Sequence, residues 1–185
     1  MRNPDPSFGA ATPPASRIAE ADRRVLRFAA LMLAIAVATI LAALGFEHIG
    51  GYQPCPLCLM QRTPYYLGIP LVAAALVAAR LQAPRLVLAA LFGAFSLAML
   101  YNAGLAAYHA GVEWRFWEGP AACAPSVEVG GVDDLLDQLE NATPPSCTDA
   151  AWRLLGLSFA GWNAIVSALL AGLGLYAAHL AWRRG

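Results

Sequence analysis

Charge is what this sequence has least of. Only 13% of its 185 residues are charged, lysine is absent, and twelve arginines balance twelve acidic residues to a formal net charge of zero. Such a chain offers no basic surface for nucleic acid. At 59% hydrophobic residues it is also too apolar for an ordinary soluble domain. Charge is missing altogether from residues 28–46, 63–79, 86–112 and 154–182, stretches of 19, 17, 27 and 29 residues. A helix that crosses a bilayer needs about 20 apolar residues, with a range of roughly 17–25. The pattern predicts an all-α membrane protein, a bundle of four transmembrane helices with two outer loops. A soluble bundle of buried helices is the competing reading, and four such runs in so short a chain weigh against it.

The few charges are segregated. Arg2, Arg17, Arg23, Arg24, Arg27, Arg80, Arg85, Arg183 and Arg184 fall in the N-terminal tail, the second turn and the C-terminus. Arg62, Arg115 and Arg153 lie on the other side. By the positive-inside rule both termini are cytoplasmic, and the two outer loops lie on the other side of the membrane. Eight acidic residues between Glu113 and Asp149 gather in the long connection between the third and fourth spans. Cysteine is sparse too, and all four, Cys55, Cys58, Cys123 and Cys147, land on the non-cytoplasmic side. An oxidising compartment permits disulfides there, and four cysteines allow three connectivities.

Residues 1–24 are rich in Pro, Ala, Ser and Arg and read as a disordered cytoplasmic tail. The membrane domain occupies 25–185, with spans at about 28–46, 63–80, 86–107 and 157–181. The first apolar run is longer than a signal peptide's and is read as an uncleaved span. A short outer loop is expected over 47–62, with Pro64 and Pro70 in the early part of the second helix. In the long connection Val132, Leu135, Leu136 and Leu139 recur at helical spacing opposite Asp133, Asp134, Asp137 and Glu140. They predict a short amphipathic helix, lying on the bilayer or packed on the rest of its loop. Trp162 and Trp182 are 20 residues apart, about 30 Å of helix, and match two aromatic belts. Ala164, Ala168 and Gly172 form a small-residue stripe expected to face another helix.

The chemistry lies in the cysteines. Cys55 and Cys58 form a C-x-x-C pair, a spacing that closes and opens reversibly and often lowers a thiol pKa. Cys58 is expected just before the second helix, where free N–H groups favour a thiolate. Arg62, four residues on, would stand one turn deeper on the same face if the helix already includes Cys58; the bland alternative is an interfacial arginine that only snorkels. Cys123 and Cys147 flank a Pro-rich stretch and by themselves read as a staple. All four thiols together could instead form a zinc site, a reading that an oxidising loop disfavours.

Four spans, a first outer loop with Cys55-Pro56-Leu57-Cys58 and Arg62, and a second outer loop with two spaced cysteines resemble the DsbB family over roughly residues 25–182. The resemblance implies an electron-transporting oxidoreductase that reoxidises a periplasmic DsbA-like thiol oxidase and reduces a membrane quinone, ubiquinone or menaquinone. It implies redox disulfides Cys55–Cys58 and Cys123–Cys147. Cys123 would meet the partner, Cys55 the released loop cysteine, and Cys58 the quinone, with Arg62 binding the quinone ring. His109 is a further candidate for that ring, and Glu47 and His48 weaker ones. The chain departs from well-known enteric members in carrying Gln61 where they carry Glu. The rival functions are a disulfide-stapled membrane scaffold and a paralogue serving a dedicated partner.

Overall fold

A computed structural model describes residues 15–123 and 147–183. Four long helices, α1 (Ala15–His48), α2 (Pro56–Arg80), α3 (Arg85–Glu113) and α4 (Phe159–Trp182), dominate it. Each is long and apolar enough to cross a bilayer, so the chain is a multi-pass membrane protein. The amphipathic segment expected at 132–140 lies outside the described residues.

α1, α2 and α3 extend past their charge-free runs, whereas α4 starts inside its run and ends with it. α1 reaches back to Ala15, past the Arg24 limit expected for the tail, through helix-favouring Ala, Arg and Glu and an Arg24–Glu20 pair one turn apart. α2 begins at Pro56 rather than near Thr63. Proline is preorganised for the first helical position, where no N–H is needed, and Cys55 caps the helix from the extended region. Pro64 and Pro70 therefore lie inside the helix, and only residues 49–55 remain of the first connection.

Before α4 the chain makes a tight hairpin, with Arg153 and Leu154 (β1) paired to Leu157 and Ser158 (β2). Leu155 and Gly156 both have positive φ, as a two-residue hairpin turn requires. Ser158 then caps α4 by accepting from the Gly161 N–H at 3.2 Å.

Packing follows one stripe per helix. On α1 this is Val25, Ala29, Met32, Ala36 and Ile40, at steps of three and four, all buried. These meet Tyr65, Val72 and Ala75 of α2, Phe92, Phe95 and Met99 of α3, and Leu170 and Ala177 of α4 in one core. The expected stripe Ala164, Ala168 and Gly172 does not face it: Ala168 and Gly172 are exposed. The packing face is instead Ser167, Leu170, Ala171, Gly174 and Ala177. It faces inward because the stripe contains Ser167, whose hydroxyl needs partners away from lipid. At the far end Arg85 lies 5.2 Å over the Trp182 ring, a cation–π contact at the belt position.

A Cβ on Gly174 would overlap the Ser96 hydroxyl and press on Phe95, whereas one on Gly172 meets nothing within 4 Å. Gly174→Leu is therefore expected to cost about 1–3 kcal/mol of stability through overpacking. Gly172→Leu should stay within about 0.5 kcal/mol. Thermal unfolding of both variants in detergent checks the pair; equal melting temperatures would contradict this packing face.

Candidate functional site

The site sits where the N-termini of α2 and α4 meet the C-termini of α1 and α3. Cys55 is the N-cap of α2. Its sulfur accepts the Cys58 backbone N–H at 3.3 Å and lies 2.9 Å from the Cys58 sulfur, and both thiols are free. The sulfur at the cap is thus that of Cys55; Cys58, expected just before the helix, already lies within its first turn. The hydrogen bond from the Cys58 thiol, then that from His109, and the cap N–H hold the Cys55 thiol well below the usual thiol range, against burial that raises it.

The other pair arrives from the long connection. After α3 the chain folds Trp117 back over Gly111, where its ring leaves no room for a Cβ. There it stacks on Tyr108 and donates to the Tyr108 carbonyl at 2.8 Å. This leads into a 3-10 turn, Ala121–Cys123. Cys123 is disulfide-bonded to Cys147, with Cα atoms 5.6 Å apart. Cys147 is 1% exposed and packs with Cys55, Leu57 and Val112, whereas Cys123 is only partly buried. Cys147 Sγ, Cys55 Sγ and a His109 ring nitrogen lie within 4.8 Å of one another. With Cys147 bound to Cys123, that trio is not a set of free metal ligands.

On its inner side Cys58 borders a cavity of about 330 Å³ between α1, α2 and α4. The walls are largely apolar, from Ile40, Phe46, Phe159 and Val166, with Cys58, Gln61, Arg62 and His109 supplying the polar contacts. Ligand pockets have this composition and a volume of roughly 300–1,000 Å³. Cys58 and Arg62 lie one turn apart on the same wall, a consequence of helix beginning before Cys58. Arg62 pairs with Glu47 at the end of α1, which places Glu47 in the wall beside it. His48 is exposed and is not among the lining residues.

His109 is buried, with one ring nitrogen 3.6 Å from Cys55 Sγ and the other 2.8 Å from the Gln61 amide nitrogen. Gln61 in turn accepts from Asn163 on α4 at 2.6 Å. Asn163 was not anticipated from sequence. A polar residue one turn into an apolar span is the signal that could have found it.

Comparison with known proteins follows the same residues. The family model "Disulfide bond formation protein DsbB" matches residues 24–177. The disulfide bond formation protein B of Marinobacter nauticus is 34% identical over 155 residues, covering 79% of this chain and 87% of that protein. That of Saccharophagus degradans is 32% identical over 139 residues, covering 73% and 81%. No solved structure matches significantly.

With its pKa lowered, the buried Cys55 should alkylate slowly but with a pH midpoint below about 6, where an ordinary thiol of pKa about 8.5 is almost wholly protonated. The rate should fall only as acid protonates the thiolate. Iodoacetamide labelling of Cys55 across pH, read by mass spectrometry with Cys123–Cys147 intact, checks this. A midpoint at or above 8.5 would contradict it.

Proposed function

We propose, since this chain belongs to the disulfide bond formation protein DsbB family, that it passes two electrons from a DsbA-like thioredoxin-fold thiol oxidase to a membrane quinone. In this reading it lies in the bacterial inner membrane with its cysteines on the periplasmic side. The observation that carries the proposal is the order of the sulfurs. Cys55 stands between Cys147 of the outer disulfide and Cys58, which borders the apolar cavity with Arg62. A scaffold held by staples has no use for a free thiol pair beside a closed disulfide.

The difference in exposure supports entry at the outer disulfide. The partner's thiolate reaches Cys123, the less buried sulfur, and breaks the Cys123–Cys147 bond; Cys147 leaves as thiolate beside Cys55. Cys147 then attacks Cys55 of a Cys55–Cys58 disulfide, and Cys58 leaves at the cavity wall. The partner's second thiolate attacks its own sulfur in the mixed disulfide, which frees the oxidised partner and releases Cys123 as thiolate. Cys123 attacks Cys147, restores the outer disulfide and expels Cys55. The product of that step, an outer disulfide with Cys55 and Cys58 free, is the redox state of this structure.

The cavity residues suit a quinone: apolar walls for the ring, a cation in Arg62 and a nucleophilic sulfur in Cys58. A bound quinone supplies the acceptor for the two electrons and two protons that leave when the Cys55–Cys58 disulfide re-forms. Arg62 would donate to a quinone carbonyl oxygen and so hold the ring against the wall that carries Cys58, and Glu47 holds the guanidinium in place. Leu57 and Val112 keep water from the buried sulfurs.

Quinone-dependent reoxidation of a reduced thioredoxin-fold partner by the purified full chain tests the proposal. Cys58→Ser should abolish turnover, and turnover that survives it would exclude this route. Arg62→Gln should raise the KM for a short-chain quinone about tenfold or more, the loss of one charge-assisted hydrogen bond. Cys147→Ala should accumulate a mixed disulfide between Cys123 and the partner.

A further inference from the structure

Five polar contacts link three helices in a chain that ends on a cysteine sulfur. Asn102 on α3 donates through Nδ2 to the Ser167 hydroxyl on α4 at 2.9 Å, and Ser167 donates to Asn163 Oδ1 at 3.3 Å. Asn163 Nδ2 donates to Gln61 Oε1 at 2.6 Å. Gln61 Nε2 reaches His109 Nδ1 at 2.8 Å, and His109 Nε2 faces Cys55 Sγ at 3.6 Å. Tyr65 adds a second donor to Asn163 Oδ1 at 2.8 Å.

The polarity of the Gln61–His109 contact follows from groups that have no choice. Gln61 Nε2 also lies 3.3 Å from the Leu57 carbonyl oxygen, which can only accept. That contact, with the Asn163 amide on the other side, sets which end of the Gln61 amide is nitrogen. A nitrogen that donates to His109 Nδ1 requires Nδ1 to bear a lone pair. The ring proton of the neutral imidazole is then on Nε2, the atom that faces Cys55. Gln61 is 5% and His109 2% exposed, so water does not compete for either.

We propose that Gln61 is a positioning residue: it holds His109 as the Nε2–H tautomer, so that the imidazole donates to Cys55 Sγ whenever that sulfur becomes a thiolate. The consequence for turnover rests on the thiol-relay reading above, in which Cys55 is the group expelled when Cys123 and Cys147 rejoin. There the S–S bond to Cys55 breaks, the electron pair stays on Cys55, and the His109 N–H stabilises it without transferring its proton. Aligned donors polarise one another, so the amides of α2 and α4 strengthen the last bond. A carboxylate in place of Gln61 could not donate to Nδ1 and would place a proton there instead.

The groups that face Cys55 are few. Cys58 stands beside it on α2, and His109 faces it from α3. The Glu113 carboxylate lies on the Cys55 side of the ring, 3.9 Å from the same Nε2, and Cys147 comes from the long connection, already bound in its disulfide. Gln61 is uncharged, so its replacement by Met keeps the local charge and much of the side-chain volume while removing the donor.

The primary test needs neither quinone nor partner. The chain has three histidines, so a 15N-histidine spectrum of the detergent-solubilised protein is simple, and His109→Phe assigns the signal. The expected result in the unaltered protein is a protonated Nε2 and a bare Nδ1; a protonated Nδ1 with a bare Nε2 overturns the proposal. In a Cys58→Ala background that leaves Cys55 as the sole free thiol, Gln61→Met should raise the pH midpoint of Cys55 alkylation by about one unit, and so slow the reaction at the former midpoint, the scale of one hydrogen bond to a charged group. Asn163→Leu, which frees the Gln61 amide to turn, should shift the midpoint in the same direction. If the His109 signals and the alkylation profile are unchanged in Gln61→Met, Gln61 does not position the ring. Loss of quinone turnover with the Nε2–H tautomer intact would count against the relay and leave this inference standing.

Discussion

A polar side chain inside a bilayer has no water to turn to, and its unmet hydrogen bonds must be closed by other helices. Gln61, Tyr65, Asn102, His109, Asn163 and Ser167 are such side chains, carried by α2, α3 and α4. Closing their network allows little freedom: each helix must rotate its polar face inward and hold its depth so that amide meets hydroxyl and imidazole meets amide. Once these three helices are in register, the N-terminus of α2 and the C-terminus of α3 stand side by side. Cys55 and His109 then have no other place to be. Asn102 Oδ1 is the one atom of this seam left without a partner among the described residues.

The same register sorts the four sulfurs by depth. Cys123 stands outermost on its 3-10 turn, Cys147 is enclosed behind it, Cys55 caps α2, and Cys58 borders the cavity. A C-x-x-C pair that starts a helix separates its sulfurs in this way by construction. The first, outside the helix, turns its sulfur to the cap N–H; the second, within the first turn, projects from the helix flank. One pair can thus face a disulfide on one side and a hydrophobic pocket on the other. The apolar cluster of Leu57 and Val112 encloses Cys55 and Cys147 together.

Much of this was legible in the residues. Four charge-free runs specify spans because hydrophobic length is a one-dimensional property. The C-x-x-C motif with Arg62 one turn on needed only helical periodicity to place cation and thiol on one wall. The start of α2 was less legible: counting charge-free residues began the span after Arg62, while the cap at Cys55 and the proline at Pro56 begin the helix seven residues earlier. The stripe on α4 misled for a different reason. Ala164, Ala168 and Gly172 have the spacing for close packing, but spacing marks a face without saying what lies opposite. Ser167 on the neighbouring face had partners on α2 and α3, and those partners turned the helix.

What the sequence by itself determined is local and additive: the helical class, the number of spans, and the thiol pair beside an arginine. What only the tertiary structure decided is every relation between residues on different helices. Glu47 against Arg62, Cys147 against Cys55, and Asn163 through Gln61 to His109 join residues from 15 to 102 positions apart, and no periodicity within one helix encodes them. They arise because buried donors and acceptors are few and directional, so that only one mutual arrangement of the helices satisfies them.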